Sequence, residues 1–186
     1  MGISGFEPSF LVGIEAVRQA HGARLAALAG RRLTGFALVR FADGDWYADC
    51  PVVLDFDGIQ VEVCHWKFDE LSIGWDTIDT AAPITGWEEV EPTPRWSNGD
   101  EHIEPFLGLE LDEVALLEWR PTDRDLAAGT VAVEFAFAGD RLRLVNGLDE
   151  NRIEAGAAEP GYVRYRMTRD LSSSDRGGAG TGPASA

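Results

Sequence analysis

Two periodicities and one recurrence predict a mainly β chain: two similar antiparallel β-meander halves packed as a pseudo-twofold sandwich or barrel, with an N-terminal α-helix. Apolar residues step by three and four before Gly30 and by two after Arg31. The strand-and-turn pattern around Gly58 returns around Gly139. A length of 186 residues suits one domain of ordinary size, or two small halves sharing a core.

The helix is expected within residues 7–29. Pro8 fits a first turn, Glu7 or Ser9 could cap it, and Phe10, Ile14, Val17, His21, Leu25 and Leu28 make one face. Gly13 and Gly22 each weaken a helix by roughly 1 kcal/mol against Ala, so packing must hold it. Gly30 supplies a stop.

Strands follow. Val52, Leu54 and Phe56 alternate with Val53, Asp55 and Asp57, and Asp57-Gly58 makes a hairpin turn into Val61, Val63 and His65. Val133, Phe135 and Phe137 lead through a turn at Gly139-Asp140 to Leu142, Leu144 and Asn146, and Tyr162 to Met167 alternates again. Such strands read as half-buried, one face in the core and one in water.

The two halves align. Gly30 and Leu33 match Gly108 and Leu111; Leu38, Val39 and Phe41 match Leu116, Leu117 and Trp119. Val52, Leu54, Phe56 and Gly58 match Val133, Phe135, Phe137 and Gly139, while Val61, Val63 and His65 match Leu142, Leu144 and Asn146. Asp69, Glu70 and Ile73 then match Asp149, Glu150 and Ile153. Neither meander covers its apolar face alone, so the two must pack together. The organisation reads as a helix in 1–29, a first β half in 30–82, an acidic connector with Pro and Trp in 83–105, a second β half in 106–168 and a disordered tail in 169–186.

The 32 acidic and 16 basic side chains leave a net charge of −16. Residues 41–120 hold 20 acidic and 3 basic side chains, a net of −17. Nucleic acid and anionic membrane surfaces are disfavoured partners on this charge. The N-terminal residues lack a basic and apolar leader pattern, and Cys50 and Cys64 are too few for a disulfide framework, which together read as cytoplasmic.

Candidate chemistry is thin. Cys64 and His65 are adjacent, and neighbours on a strand point to opposite faces, so they form no dyad. His65 and Asn146 occupy matching places at the ends of inner faces, where polar groups serve turn backbone. Cys64 through Lys67 has no close echo in the second half and is therefore freer to serve function. Asp69-Glu70 and Asp149-Glu150 read as turn residues before they read as a metal site. Asp43-Gly44-Asp45 and Asp55-Phe56-Asp57-Gly58 lack the spacing of a calcium loop, and His21, His65 and His102 are too scattered for zinc. No cofactor and no metal are expected.

The expected function is a non-catalytic acidic interaction module, concretely an immunity or inhibitor-type protein that binds a basic protein partner. Asp43, Asp45, Trp46, Glu88, Glu89, Glu91, Trp96, Asp100 and Glu101 are its candidate contacts, because aromatics within a charged rim compose binding hot spots. At least one of Trp46, Trp87 and Trp96 should then be exposed. The alternative is a small-molecule site at the seam between the halves, near His65, Trp66 and Asn146. A third reading is an enzyme using Cys64 or His65.

Overall fold

Gly13 divides the N-terminal segment in two. In the computed structural model, which describes residues 2–41, 43–87 and 93–168, Gly13 adopts φ 82°, a conformation open to glycine without cost. Before it the chain is extended, and β1 (Leu11–Val12) pairs with β5 (Glu70–Trp75). After it comes α1 (Ile14–Ala26). The expected helix over 7–29 is therefore shorter: Pro8 and Phe10 lie in the extended arm, and Ser9 accepts no capping role but donates its N–H to Ser72 Oγ at 3.0 Å. Gly30, at φ 86°, closes the turn after the helix as expected.

The first meander runs through β2 (Leu33–Arg40), β3 (Val52–Phe56), β4 (Ile59–Trp66) and β5, each paired antiparallel with the next. Edge strands β1 and β6 (Arg95–Ser97) extend it to six strands in the order β1-β5-β4-β3-β2-β6. The second meander runs through β7 (Leu111–Trp119), β8 (Val131–Phe137), β9 (Asp140–Asn146) and β10 (Asn151–Ala155). With β11 (Tyr162–Arg166) it forms a five-stranded sheet ordered β10-β9-β8-β7-β11. Neither sheet closes on itself, so the architecture is a sandwich and not a barrel. No helix among the described residues is long and apolar enough to cross a membrane.

The registers of the two meanders agree pair by pair. Leu33 faces Phe56 where Leu111 faces Phe137, Val52 faces Val63 where Val133 faces Leu144, and Val63 faces Ile73 where Leu144 faces Ile153. Even the register shift recurs, after Leu33 and after Leu111. The hairpin turns differ slightly: Asp57 and Gly58 both take positive φ, whereas the second turn is Ala138-Gly139, one residue earlier than expected.

A local twofold axis passes through the bridged pair Arg32 and Glu110. Gly30 N–H donates to the Leu111 carbonyl and Gly108 N–H to the Leu33 carbonyl, both at 2.8 Å. Leu33 N–H donates to Leu109 and Leu111 N–H to Arg31 in the same reciprocal way. These bonds join the sheets at one corner. The inner faces and α1 share one core, in which Phe56 and Phe135 stack with centroids 5.3 Å apart.

The strands are more covered than alternation alone predicts. In the first sheet Ala37, Val39 and Val53 face outward but are buried beneath Ile3, Phe6, Ile78, Ile84 and Trp87. The N-terminal arm and the chain after β5 form this cover, joined to each other where Gly2 bridges Thr85. The expected water-facing side is thus a second apolar layer. The expected connector, residues 83–105, contributes β6 and a short 3₁₀ turn, Glu104–Phe106, entered beneath buried Ile103. The expected tail, 169–186, lies outside the described residues.

Candidate functional site

Arg40 ends β2 and draws two distant acidic segments together. Its guanidinium donates to the Gly44 carbonyl at 2.8 Å, inside the Asp43-Gly44-Asp45 turn. It also donates to Asp100 Oδ2 at 2.7 Å, and the Asp100 side chain is only 8% exposed. Asp43 steadies its own turn by accepting the Asp45 N–H at 3.1 Å. Glu104 similarly accepts the Asp100 N–H at 3.1 Å. The two charges of a pair so sheltered attract more strongly than those of a surface ion pair, and lose more hydration in meeting.

Beside this junction lies a cleft of about 720 Å³, lined in part by Arg40, Trp46, Asp100, Glu101, His102 and Arg152. It opens at the seam between the halves, since Arg40 belongs to the first meander and Arg152 to β10. Glu101 and Glu104 are exposed in its wall, and Asp43 and Asp45 are exposed in the neighbouring turn that Arg40 bonds at Gly44. Two donors in its wall residues, Arg40 Nε and Trp46 Nε1, are buried with no hydrogen-bond partner.

Of the candidate contacts, Asp43, Asp45, Trp46, Asp100 and Glu101 therefore come together. Trp96 does not join them: it is half-buried against the outer apolar layer of the first sheet. Glu88, Glu89 and Glu91 lie outside the described residues. The expectation of an exposed tryptophan among Trp46, Trp87 and Trp96 fails, because all three are half-buried in packing clusters. Trp66 is exposed instead, at 45%.

The small-molecule set does not converge. His65 faces inward and is 1% exposed, whereas Trp66 faces out. The His65 ring nitrogens lie 2.9 Å from Asn151 Oδ1 and 3.0 Å from the Val131 carbonyl. Asn146 instead donates to the Lys67 carbonyl and accepts from the Leu148 and Asp149 N–H groups. None of the three lines the cleft at the seam. Asn151 escaped notice in the sequence: its side-chain amide donates to the Ala48 and Cys50 carbonyls at 2.9 and 2.8 Å. That orientation turns Oδ1 toward His65, whose N–H it also accepts at 2.9 Å.

The thiols are poor nucleophiles. Burial pushes Cys64 up to about 12, against a smaller lowering by Asn151. Cys50 is raised further, chiefly by burial and then by Cys64. Both stay protonated near neutrality, and only the thiolate attacks. Burial also lowers His65, against the opposing pull of its two acceptors.

Comparison with protein-family models, curated proteins and solved structures yields no significant match.

Proposed function

We propose that the chain is a non-catalytic acidic interaction module that docks a basic protein, in the manner of an immunity or inhibitor-type protein. The observation that carries this reading is the meeting of Asp43, Asp45, Asp100 and Glu101 around Arg40, from segments separated by more than fifty residues. Arg40 neutralises Asp100 and Glu154 pairs with Arg152, which leaves Glu101 and Glu104 in the wall and Asp43 and Asp45 in the adjoining turn as a net negative charge beside the cleft. Such a field steers a cationic partner toward the cleft and accelerates encounter. The cleft accepts a protruding side chain, with Trp46 as its aromatic wall. Buried, protonated thiols and a buried His65 enclosed by Asn151 and Val131 favour a role in binding over one in turnover.

The test is capture from a lysate of the source cells at low salt, alongside a D43N/D45N/E101Q/E104Q variant. These substitutions keep an acceptor oxygen where Asp43 and Glu104 hold their own turns. The expected result is a basic protein retained by the wild type, released by salt, and associating about tenfold more slowly with the variant. Equal association rates at low salt refute the surface.

A further inference from the structure

The stretch without an echo in the second repeat ends in exposed aromatics. Trp66 is 45% exposed, Phe68 in the following turn 42%, and Val12 on the edge strand 56%. Glu70 is the cross-strand partner of both Val12 and Trp66, so these side chains share a row on the outer face. The Phe10 ring lies 6.3 Å from that of Trp66. The neighbouring hairpin tip belongs to the same end of the molecule, because Asn146 bonds the Lys67 carbonyl while holding the turn at Leu148.

Leu148 is the telling residue. It is 70% exposed and adopts φ 73°, in the left-handed region. A side chain with a Cβ is disfavoured there relative to glycine. Burial does little to offset that cost, since most of the side chain faces water. An apolar residue held outward in a strained turn is a feature of ligand clamps and contact surfaces. Next to Phe68 and Leu148 in the chain come Asp69, Asp149 and Glu150, all exposed, while Glu70 pairs with Lys67 at 2.9 Å.

We propose that this end of the molecule is a second docking surface, for a segment of a basic partner that presents apolar side chains between lysines or arginines. Trp66, Phe68 and Leu148 take the apolar side chains, and Asp69, Asp149 and Glu150 take the surrounding cations. The inference rests on the interaction reading above for the sign of the partner's charge, and adds the exposed apolar anchor that the cleft lacks. A second copy of the chain is a poor occupant: a face-to-face dimer would bring each acidic rim against its own duplicate. An exposed apolar centre with a charged rim is the anatomy of a protein contact.

The probe is a random dodecapeptide library displayed on phage and selected on the full chain. The best binder is then synthesised and titrated against wild type, W66A/F68A, L148G and the D43N/D45N/E101Q/E104Q variant. Enriched peptides should combine apolar residues with Lys or Arg, and W66A/F68A should weaken binding about thirtyfold, as loss of aromatic hot spots does. L148G should weaken binding several-fold while raising the melting temperature, because it relieves the left-handed strain. A leucine with a purely structural role would lose stability instead. Peptides that are not basic, or binding indifferent to W66A/F68A and L148G, overturn the proposal. Binding lost only on neutralising the cleft also overturns it and leaves the cleft reading standing. Binding that needs the tips but not the cleft carboxylates supports this surface and counts against the cleft. Self-association of the chain that W66A/F68A abolishes would make the occupant a second copy and overturn the proposal.

Discussion

His65 is a polar side chain sealed inside an apolar sandwich, and it is held there by two acceptors. A neutral imidazole carries one N–H, so it donates to Asn151 Oδ1 or to the Val131 carbonyl, not to both. Burial nevertheless dominates and lowers its pKa below the ordinary 6.5. His21 is lowered too, by burial and then by Arg24, and it accepts the Trp75 indole N–H at Nδ1. In both cases the unfolded chain takes the proton first as pH falls. The stability these residues confer is therefore complete above pH 6.5 and is lost as pH falls through their folded values. Melting temperature should be flat from about pH 8 to 7 and should drop between about pH 6 and 5, before most carboxylates titrate. His65→Leu should flatten part of that slope while costing about 1–3 kcal/mol at neutral pH, because the buried acceptor that takes the ring N–H, Asn151 Oδ1 or the Val131 carbonyl, loses it. An unchanged slope in the variant would place the titration elsewhere. The inward placement of His65 was legible from the alternation, but the expected bond to turn backbone is made by Asn146, whereas His65 meets Asn151 and the Val131 carbonyl of β8. The Asn151 partner was not legible, since Asn151 reaches carbonyls 101 and 103 residues away in the chain and no local pattern encodes that distance.

Each meander also buries a charged residue at an equivalent place on its outer face, Glu62 in the first and Arg143 in the second, with opposite sign; the second buries Glu134 as well. Glu62 sits beside Gly74 across the strand pair β4–β5, and its carboxylate accepts the Thr77 and Ile78 N–H groups at 2.6 and 2.8 Å. Arg143 sits across from Glu154 in β9–β10 and donates to the Gly156 and Ala157 carbonyls at 2.5 and 3.0 Å. Anion on donors and cation on acceptors both fasten the chain leaving the last strand of the meander. Gly74 makes the first arrangement possible: a Cβ there would meet Glu62 Oε2 at 2.2 Å. Gly74→Ala should therefore destabilise by about 2–3 kcal/mol, more than strand propensity accounts for, by displacing the carboxylate from its donors. In chemical denaturation, Glu62→Gln should lose less than Glu62→Leu, because the amide oxygen still accepts. If Gly74→Ala costs no more than a surface glycine change, the carboxylate is not held as described. The strands themselves were legible from alternation, as β3, β4, β8 and β9 show. The outer cover was not. Ile3, Phe6, Ile78, Ile84 and Trp87 occur at no strand or helix period, so nothing in their spacing reveals that they bury Ala37, Val39 and Val53. The same blindness hides the acidic cleft, whose two sides meet because β2 bridges Trp46 and pairs with β6, and Arg40 then reaches both Gly44 and Asp100.

The two meanders complete each other, and this follows from where their apolar faces point. Phe56 of the first stacks on Phe135 of the second, and Leu54, Val63, Val133 and Leu144 lie in the same core. The corner bonds are reciprocal, so each half supplies both donors and acceptors to the other at Gly30, Leu33, Gly108 and Leu111. Helix α1, which precedes the first meander, packs Gly22 against the second, where an added Cβ would lie 3.4 Å from Met167 Sδ. The recurrence was readable because register in a half-buried sheet is fixed by which side chains must face inward, so equal patterns give equal pairings. The acidic surface follows the same division. The first half and the connector carry the excess charge, while β7 to β11 enclose Glu134 among Arg141, Arg143 and Arg164 in a network that consumes its own charges. Separating the halves at Gly99 should therefore abolish folding of both. Produced alone, residues 1–98 and 99–186 would each expose one wall of the core and leave the corner N–H and carbonyl groups without their partners. Neither fragment should show a cooperative thermal transition or dispersed amide resonances. Equimolar mixing should restore both, with a melting temperature that rises with concentration because association and folding are one step. A fragment that melts cooperatively by itself would show that one meander, with its own cover of arm or helix, is already a complete folding unit.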